Sequence, residues 1–419
     1  MTPATPAPAA PAPTNSSDPC ARVLARAEAL LEDMRLCVVS EWKSKNPGAL
    51  AIGIMPVYAP RPLFEAIGVL PVNIFGGGDH VDVIKGDAYY QSYICHIPRS
   101  TIEMGLNGDL GALDGMVFPS TCDVIRNLSG MWRLLFPLKY SSYLDLPQTF
   151  EAPLGGLFYR HELSRIAAEL HERGAPTLDD AALRAAIGRE NRRRKLLSDL
   201  SDLRANEPWR VKASEAYLLT RAGALLPADD HSEMLIEFLA NARTRTQRVY
   251  DNVRVIVVGA FCEQPPLALI RTLERSGCDL VDDDFQLALT TIDGPIPLDE
   301  DLSATGYDTG PLDTKDPLDA LVLSYLMRGQ ATSTRYIADG VKGAALVSRV
   351  KVTQADGVIF AAPSFCDPAL LDQPMLETAL AEAKIPFTSF KYSENGAQFQ
   401  TIREQAGAFS DSVKLWGGA

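Results

Sequence analysis

No GxxxxGK(S/T) string occurs in the 419 residues, so the chain carries no P-loop with which to hydrolyse ATP itself. No GxGxxG follows a strand-like run, and no GxSxG elbow is present, which removes the common dinucleotide-binding and hydrolase signatures. Histidine is scarce at five residues, and none stands at finger spacing with a cysteine pair, which argues against zinc. Excess positive charge is also missing. Lys plus Arg is 40 against 53 for Asp plus Glu, a net charge of −13, so a nucleic-acid-binding surface is not the main business of the protein. No apolar run reaches the ~18 residues a membrane span needs, and the N-terminus lacks the basic and apolar blocks of a signal peptide. A soluble, cytoplasmic protein with no membrane partner is expected.

What remains is ordinary globular composition, 46% apolar and 22% charged. At roughly 100 to 200 residues per domain the length predicts two or three domains. Seven cysteines, Cys20, Cys37, Cys95, Cys122, Cys262, Cys278 and Cys366, are odd in number and widely scattered, the opposite of a disulfide framework. They are expected as thiols, each a ligand or a small buried hydrophobe.

Residues 1–18 belong to a Pro/Ala-rich tail that cannot bury enough surface to offset the entropy of ordering it. Order is expected from Asp18-Pro19, an N-cap followed by proline, with Val23, Ala27, Leu30, Leu31, Met34 and Cys37 at helical spacing, which puts Cys37 in the core. Ala51–Met55 reads as a strand, Pro60–Ile67 as a helix closed by Gly68, and Val72–Phe75 as a second strand: a βαβ unit. The plan returns with the strand Val253–Val258, the helix Pro265–Ser276 closed by Gly277, and the strand Asp279–Val281 running into Asp282-Asp283-Asp284. A closer echo joins Asp114-Gly115-Met116-Val117-Phe118-Pro119-Ser120-Thr121-Cys122-Asp123 to Asp356-Gly357-Val358-Ile359-Phe360, two alanines and Pro363-Ser364-Phe365-Cys366-Asp367. The fold class is therefore α/β, with two similar Rossmann-like parallel-sheet domains, 19–160 and 251–419, and a Leu/Ala/Arg/Glu-rich helical connecting segment over 161–250. Within that segment Arg192-Arg193-Arg194-Lys195 reads as a solvated helix face, or else as a patch for a CoA phosphate or a partner.

Cys122 and Cys366 fall where a strand gives way to a helix, at the edge where open α/β sheets place ligands. Cys262, in Gly259-Ala260-Phe261-Cys262-Glu263-Gln264-Pro265-Pro266, follows another strand, and Cys95 follows a glycine-rich turn. Thiolates from separate loops meeting in a cleft between two domains suit an iron–sulfur cluster. Without a C-x2-C pair, spacing alone leaves buried structural thiols as the alternative. Gly76-Gly77-Gly78-Asp79 is a phosphate-approach loop or an ordinary turn, Asp282–Asp284 a cation site or a solvated sheet end, and His96 a proton donor, a second-layer partner or a structural histidine.

Longer strings carry a resemblance. These are Asn46-Pro47-Gly48 with Met55-Pro56-Val57-Tyr58-Ala59-Pro60-Arg61; Gly86-Asp87-Ala88-Tyr89-Tyr90-Gln91-Ser92-Tyr93-Ile94-Cys95; Phe118–Asn127; Gly259–Pro266; and Phe360–Pro368. From about Trp42 to Trp416 the sequence resembles the 2-hydroxyacyl-CoA dehydratase/benzoyl-CoA reductase family, and within it the C-type subunits of ATP-dependent (class I) benzoyl-CoA reductases. The resemblance implies a 4Fe-4S cluster on Cys95, Cys122 and Cys366, its remaining iron site left to water, another side chain or substrate. Cys262 is placed as a fourth ligand, an active-site thiol or a structural cysteine; Cys20, Cys37 and Cys278 are read as structural. It further implies an oxygen-sensitive oxidoreductase subunit of anaerobic aromatic degradation that passes low-potential electrons to the ring of benzoyl-CoA, giving a cyclic diene-carboxyl-CoA. The implied partners are a homologous second reductase subunit, ATP-hydrolysing activator subunits with their own cluster, ferredoxin as donor and a CoA-thioester substrate. ATP and Mg enter only through those subunits, in keeping with the missing P-loop. The alternatives are a subunit of an (R)-2-hydroxyacyl-CoA dehydratase and a cluster-free scaffold.

Overall fold

The computed structural model describes residues 18–259, 265–285, 291–335, 337, 340–393 and 398–416. Residues 1–17 of the Pro/Ala-rich tail and Cys262 lie outside them. Helix α1 (Pro19–Leu31) opens on Asp18, whose carboxylate accepts the Cys20 N–H at 2.9 Å, with Pro19 in the first turn where an N–H is not needed. The expected continuous helix is interrupted. Leu36 adopts φ 52° and α2 (Cys37–Lys45) starts afresh, Asp33 accepting the Cys37 and Val38 amides at 2.9 Å each. The break turns the helix about its axis, so Leu36 and Val39 are buried and Cys37 is exposed, which corrects its expected core position.

Strand β1 (Ala51–Ile54), α3 (Arg61–Ala66) and β2 (Leu70–Asn73) make the first βαβ unit, β2 lying two residues earlier than expected. Helix α4 (His96–Asn107) leads to β3 (Gly115–Pro119), and α5 (Asp123–Leu135) to β4 (Tyr140–Leu144). Four helices follow: α6 (Leu157–Glu172), α7 (Asp180–Asn206), α8 (Ala213–Ala222) and α9 (Ala228–Ala242). The second half runs β5 (Val253–Val258), α10 (Leu267–Arg275), β6 (Cys278–Asp283), α11 (Pro317–Arg328), α12 (Val341–Thr353), β7 (Gly357–Pro363), α13 (Asp367–Glu382), β8 (Phe387–Tyr392) and α14 (Phe399–Trp416). The sheets are parallel and share one topology, β2-β1-β3-β4 and β6-β5-β7-β8. Chain direction across each sheet reverses between its two central strands, the switch point outside which such sheets bind ligands.

The sequence echo is a structural repeat down to single hydrogen bonds. Asp114 donates its N–H to Ala51 O and accepts the Ala51 N–H on its carboxylate, both at 2.8 Å. Asp356 does the same with Arg254, at 2.7 and 2.8 Å. At the other strand end Ser120 N–H reaches Leu144 O at 2.9 Å, and Ser364 N–H reaches Tyr392 O at 2.7 Å. Strands β3 and β7 are buried at every position because helices cover both sheet faces, which is why they read as unbroken apolar runs.

One segment departs from the expected division. Ile292, Ile296, Leu302, Leu312 and most of α11, placed by sequence order with the second sheet, pack into the core on one face of the first, among Ile52, Val117, Tyr159 and Leu163. Helix α11 is buried from Pro317 through Leu326, so every side of it faces protein, and periodicity could not assign it to a partner. Helix α1 likewise packs on α8 and α9 rather than on the first sheet, burying Cys20, Val23 and Ala27.

Candidate functional site

Cys95, Cys122 and Cys366 share one local geometry: each is the residue that immediately precedes a helix, α4, α5 and α13 respectively. Cys122 and Cys366 end the turns after β3 and β7, at corresponding points of the two sheets, and Cys95 begins the helix that crosses from β2 to β3. Helix N-termini present unpaired N–H groups and the positive end of the helix dipole, which favour a thiolate. Burial pushes the Cys122 thiol above its ordinary value, against the pull of the Val124 and Ile125 amides that face it. The Tyr90 phenol feels the charge of both Cys95 and Cys122, and Cys122 feels Asp367, the residue after Cys366. Thr121 Oγ1 donates to Pro56 O at 3.0 Å and so ties the Cys122 turn to the loop after β1 across the first switch point.

Among the described residues no group of three or more His, Cys, Asp or Glu side chains is gathered as if around a single ion. A cubane cluster places its thiolates farther apart than one ion does, and the donor set here, soft thiols on helix N-termini from both halves of the chain, fits an iron–sulfur group. Cys20 and Cys278 do not belong to it. Burial raises their thiols to about 11 and about 12, Cys20 in the α1–α8–α9 core and Cys278 at the start of β6 on a buried face of the second sheet.

Other sequence candidates resolve differently. The Arg192–Lys195 run is a solvated face only at Arg192 and Lys195, which are exposed: Arg193 is 0% exposed and holds Glu190 through two hydrogen bonds of 2.8 Å, while buried Arg194 donates to Gly294 O at 2.8 Å. Asp282 and Asp284 clasp Arg349 at 2.7 and 2.8 Å, and Asp283 pairs with buried Arg204, so these carboxylates are ion-paired rather than solvated. Both groups border a cavity of about 910 Å³ beyond the carboxyl ends of β5 and β6. Arg349, Lys342 and Lys195 on its wall pair with Asp282 and Asp284, Asp372, and Asp199, which leaves little positive charge for a CoA phosphate. Gly76 and Gly77 are a packing turn. A Cβ at Gly76 would collide with Ser100, and Gly77 N–H donates to Ser100 Oγ at 3.0 Å. His96 is buried at the first position of α4 and lines a small cavity with Phe75, Tyr217 and Arg221.

Two residues escaped the sequence reading. Arg221, half-buried with its guanidinium 4.0 Å over the Phe75 ring, has no carboxylate partner among the described residues; one arginine on an amphipathic helix offers no local signal. Tyr90 sits in one of the family-like strings, but the neighbouring tyrosines Tyr89 and Tyr93 hid which ring turns inward.

The fold, with its paired parallel sheets and cysteines at equivalent strand ends, defines a two-lobed α/β protein built on an internal repeat. The sequence profile of the family described as 2-hydroxyglutaryl-CoA dehydratase, D-component, matches residues 56–413, and the chain belongs to that family. It is 48% identical over 397 residues, covering 94% of this chain and 99% of the other, to the C subunit of benzoyl-CoA reductase from Thauera aromatica. It is 24% identical over 369 residues to the (R)-phenyllactyl-CoA dehydratase beta subunit of Clostridium sporogenes, covering 88% and 93% of the two chains. With the beta subunit of (R)-2-hydroxyglutaryl-CoA dehydratase from Acidaminococcus fermentans the figures are 25% over 374 residues, 88% and 94%. The family read from the sequence strings is thereby borne out.

Proposed function

We propose that this chain is an oxidoreductase subunit of an ATP-dependent benzoyl-CoA reductase complex, with Cys95, Cys122 and Cys366 holding a 4Fe-4S cluster. The observation that carries the reading is the end-to-end match, 48% identity over 94% of the chain, to the C subunit of a benzoyl-CoA reductase. When bound, the cluster supplies a low-potential electron, which dearomatisation of a benzene ring requires. The chain's own residues hold and shield that group. Three helix N-termini would stabilise the anionic thiolates, and burial around Cys122 would limit water; Cys122 and Cys366 stand at equivalent points of the repeat. Its partners are a homologous reductase subunit, ATP-hydrolysing activator subunits with a cluster of their own, and ferredoxin, and its setting is an anaerobic cytoplasm.

The test is iron and sulfide content of the anaerobically purified complex, before and after single Cys→Ser changes at Cys95, Cys122 and Cys366. About four iron and four sulfide attributable to this chain are expected, with loss or distortion of its paramagnetic signal in each variant while circular dichroism is retained. Iron near zero after anaerobic reconstitution, or iron unchanged in all three variants, overturns the assignment and leaves a scaffold subunit. The dehydratase relatives, at 24 and 25% identity, motivate a second reading, water elimination from an (R)-2-hydroxyacyl-CoA. Turnover of benzoyl-CoA against an aliphatic 2-hydroxyacyl-CoA separates the two.

A further inference from the structure

The geometry points to Tyr90 as a positioning residue whose hydroxyl donates a hydrogen bond to a sulfur of the group held by Cys95 and Cys122, raising that group's reduction potential. The inference rests on the cluster reading above and adds a residue to it.

The first observation is an unmet donor. The Tyr90 Oη is buried and has no hydrogen-bond partner among the described residues. Buried tyrosine hydroxyls ordinarily find one, and leaving such a group unsatisfied costs about 1–3 kcal/mol. The second observation is what surrounds it. Its ring packs with the core that lies beneath α4 and α5, alongside Cys122, and the charges of Cys95 and Cys122 both act on the phenol. A neutral phenol keeps its O–H as a donor. A neutral thiol is a weak acceptor, whereas a thiolate or sulfide carrying extra electron density is a strong one. The orphaned hydroxyl therefore acquires its partner when the anionic group is present.

The loop that carries Tyr90 is held for this. The Glu103 carboxylate on α4 accepts the N–H groups of Ile84, Lys85 and Gly86 at 2.9, 2.5 and 2.9 Å. Burial alone would raise that carboxyl, but these three amides outweigh it and hold it below the usual range. Arg99 on the same helix binds Asp87 at 2.7 Å, and a Cβ at Gly86 would run into the Arg99 carbonyl. The helix that Cys95 opens thus fixes the Tyr90 loop at four points, and ligand and hydroxyl move as one body. A hydrogen bond to cluster sulfur favours the reduced, more negative state, because the added charge is partly offset.

The test uses the anaerobic complex and the paramagnetic signal that Cys122→Ser removes. Tyr90→Phe keeps the ring and deletes the donor; incorporation of 3,5-difluorotyrosine at position 90 keeps the shape and makes the O–H a stronger donor. Iron per chain should be unchanged in both, while the midpoint potential of that signal shifts negative in Tyr90→Phe and positive with difluorotyrosine. Unmoved potentials with iron retained overturn the role of Tyr90 and leave the cluster reading intact. Should Tyr90→Phe lose iron, the sign of the difluorotyrosine shift decides: a positive shift supports the donor, none or a negative one removes it. Iron-free wild-type complex overturns both readings at once.

Discussion

His231 is an imidazole enclosed on every side, its Nε2 2.9 Å from Leu219 O and its Nδ1 without a partner among the described residues. Burial, with Arg193 and Arg61 nearby, lowers its pKa from 6.5 to about 3, against the weaker upward pull of Leu219. Between those values the unfolded chain binds a proton that the folded one does not, so stability is fully present above pH 6.5 and falls as pH drops toward 3. The slope approaches about 1.4 kcal/mol per pH unit for this one group. His231→Gln retains a donor for Leu219 and removes the titration. Denaturation midpoints followed from pH 7.5 to pH 5 should fall less steeply in this variant than in wild type, and parallel curves would show that the acid sensitivity lies elsewhere. The same ring explains Gly223, where a Cβ would overlap the imidazole. Composition offered no sign of either, since a histidine on a helix announces neither its depth nor its neighbours.

At the scale of elements, the repeat explains what its aspartates are for. Asp114 and Asp356 each clamp the start of a neighbouring central strand through a main-chain N–H, and Lys43 adds two contacts of 2.7 Å to Asp114. Asp114→Ala and Asp356→Ala should each cost about 1–3 kcal/mol, as expected for a strand amide that loses a charged acceptor. Because they lie in separate sheets with no shared partner, the double variant should show the sum of the two. Urea unfolding measures this, and a marked departure from additivity would mean that the two sheets respond as one strained unit. Most of this was legible. Strand, turn and cysteine appeared twice in the same frame, and glycines closing α3 and α10 marked helix ends through the positive φ that Gly68 and Gly277 adopt. The break at Leu36 was not legible, because the apolar spacing runs on through it and only Asp33 capping a second helix reveals it.

Across the whole molecule the two halves are interlocked rather than strung in series. Leu318, Leu321, Val322 and Tyr325 of α11 fill the core of the first sheet, and buried Arg204 of α7 pairs with Asp283 of β6. A fragment ending at residue 250 therefore lacks the helix that covers its own core. Expressed alone it should bind a hydrophobic dye and aggregate, and co-expression with residues 251–419 should restore solubility, as size-exclusion chromatography would show. A fragment that folded alone into a monomer with native-like denaturant resistance would contradict the interlock.

The class of fold, the internal repeat and the family could be read from the sequence, because they rest on local signals: buried parallel strands are continuously apolar, and turns and caps use few residue types. The fate of charged and polar groups could not be read. Arg193, Arg194 and the Asp282–Asp284 run look solvated in one dimension and are buried or ion-paired in three, and Tyr90 is one tyrosine among several until the fold buries its hydroxyl. The cost of burying a charge or a hydroxyl is met by partners distant in sequence, and only tertiary structure decides which partners those are.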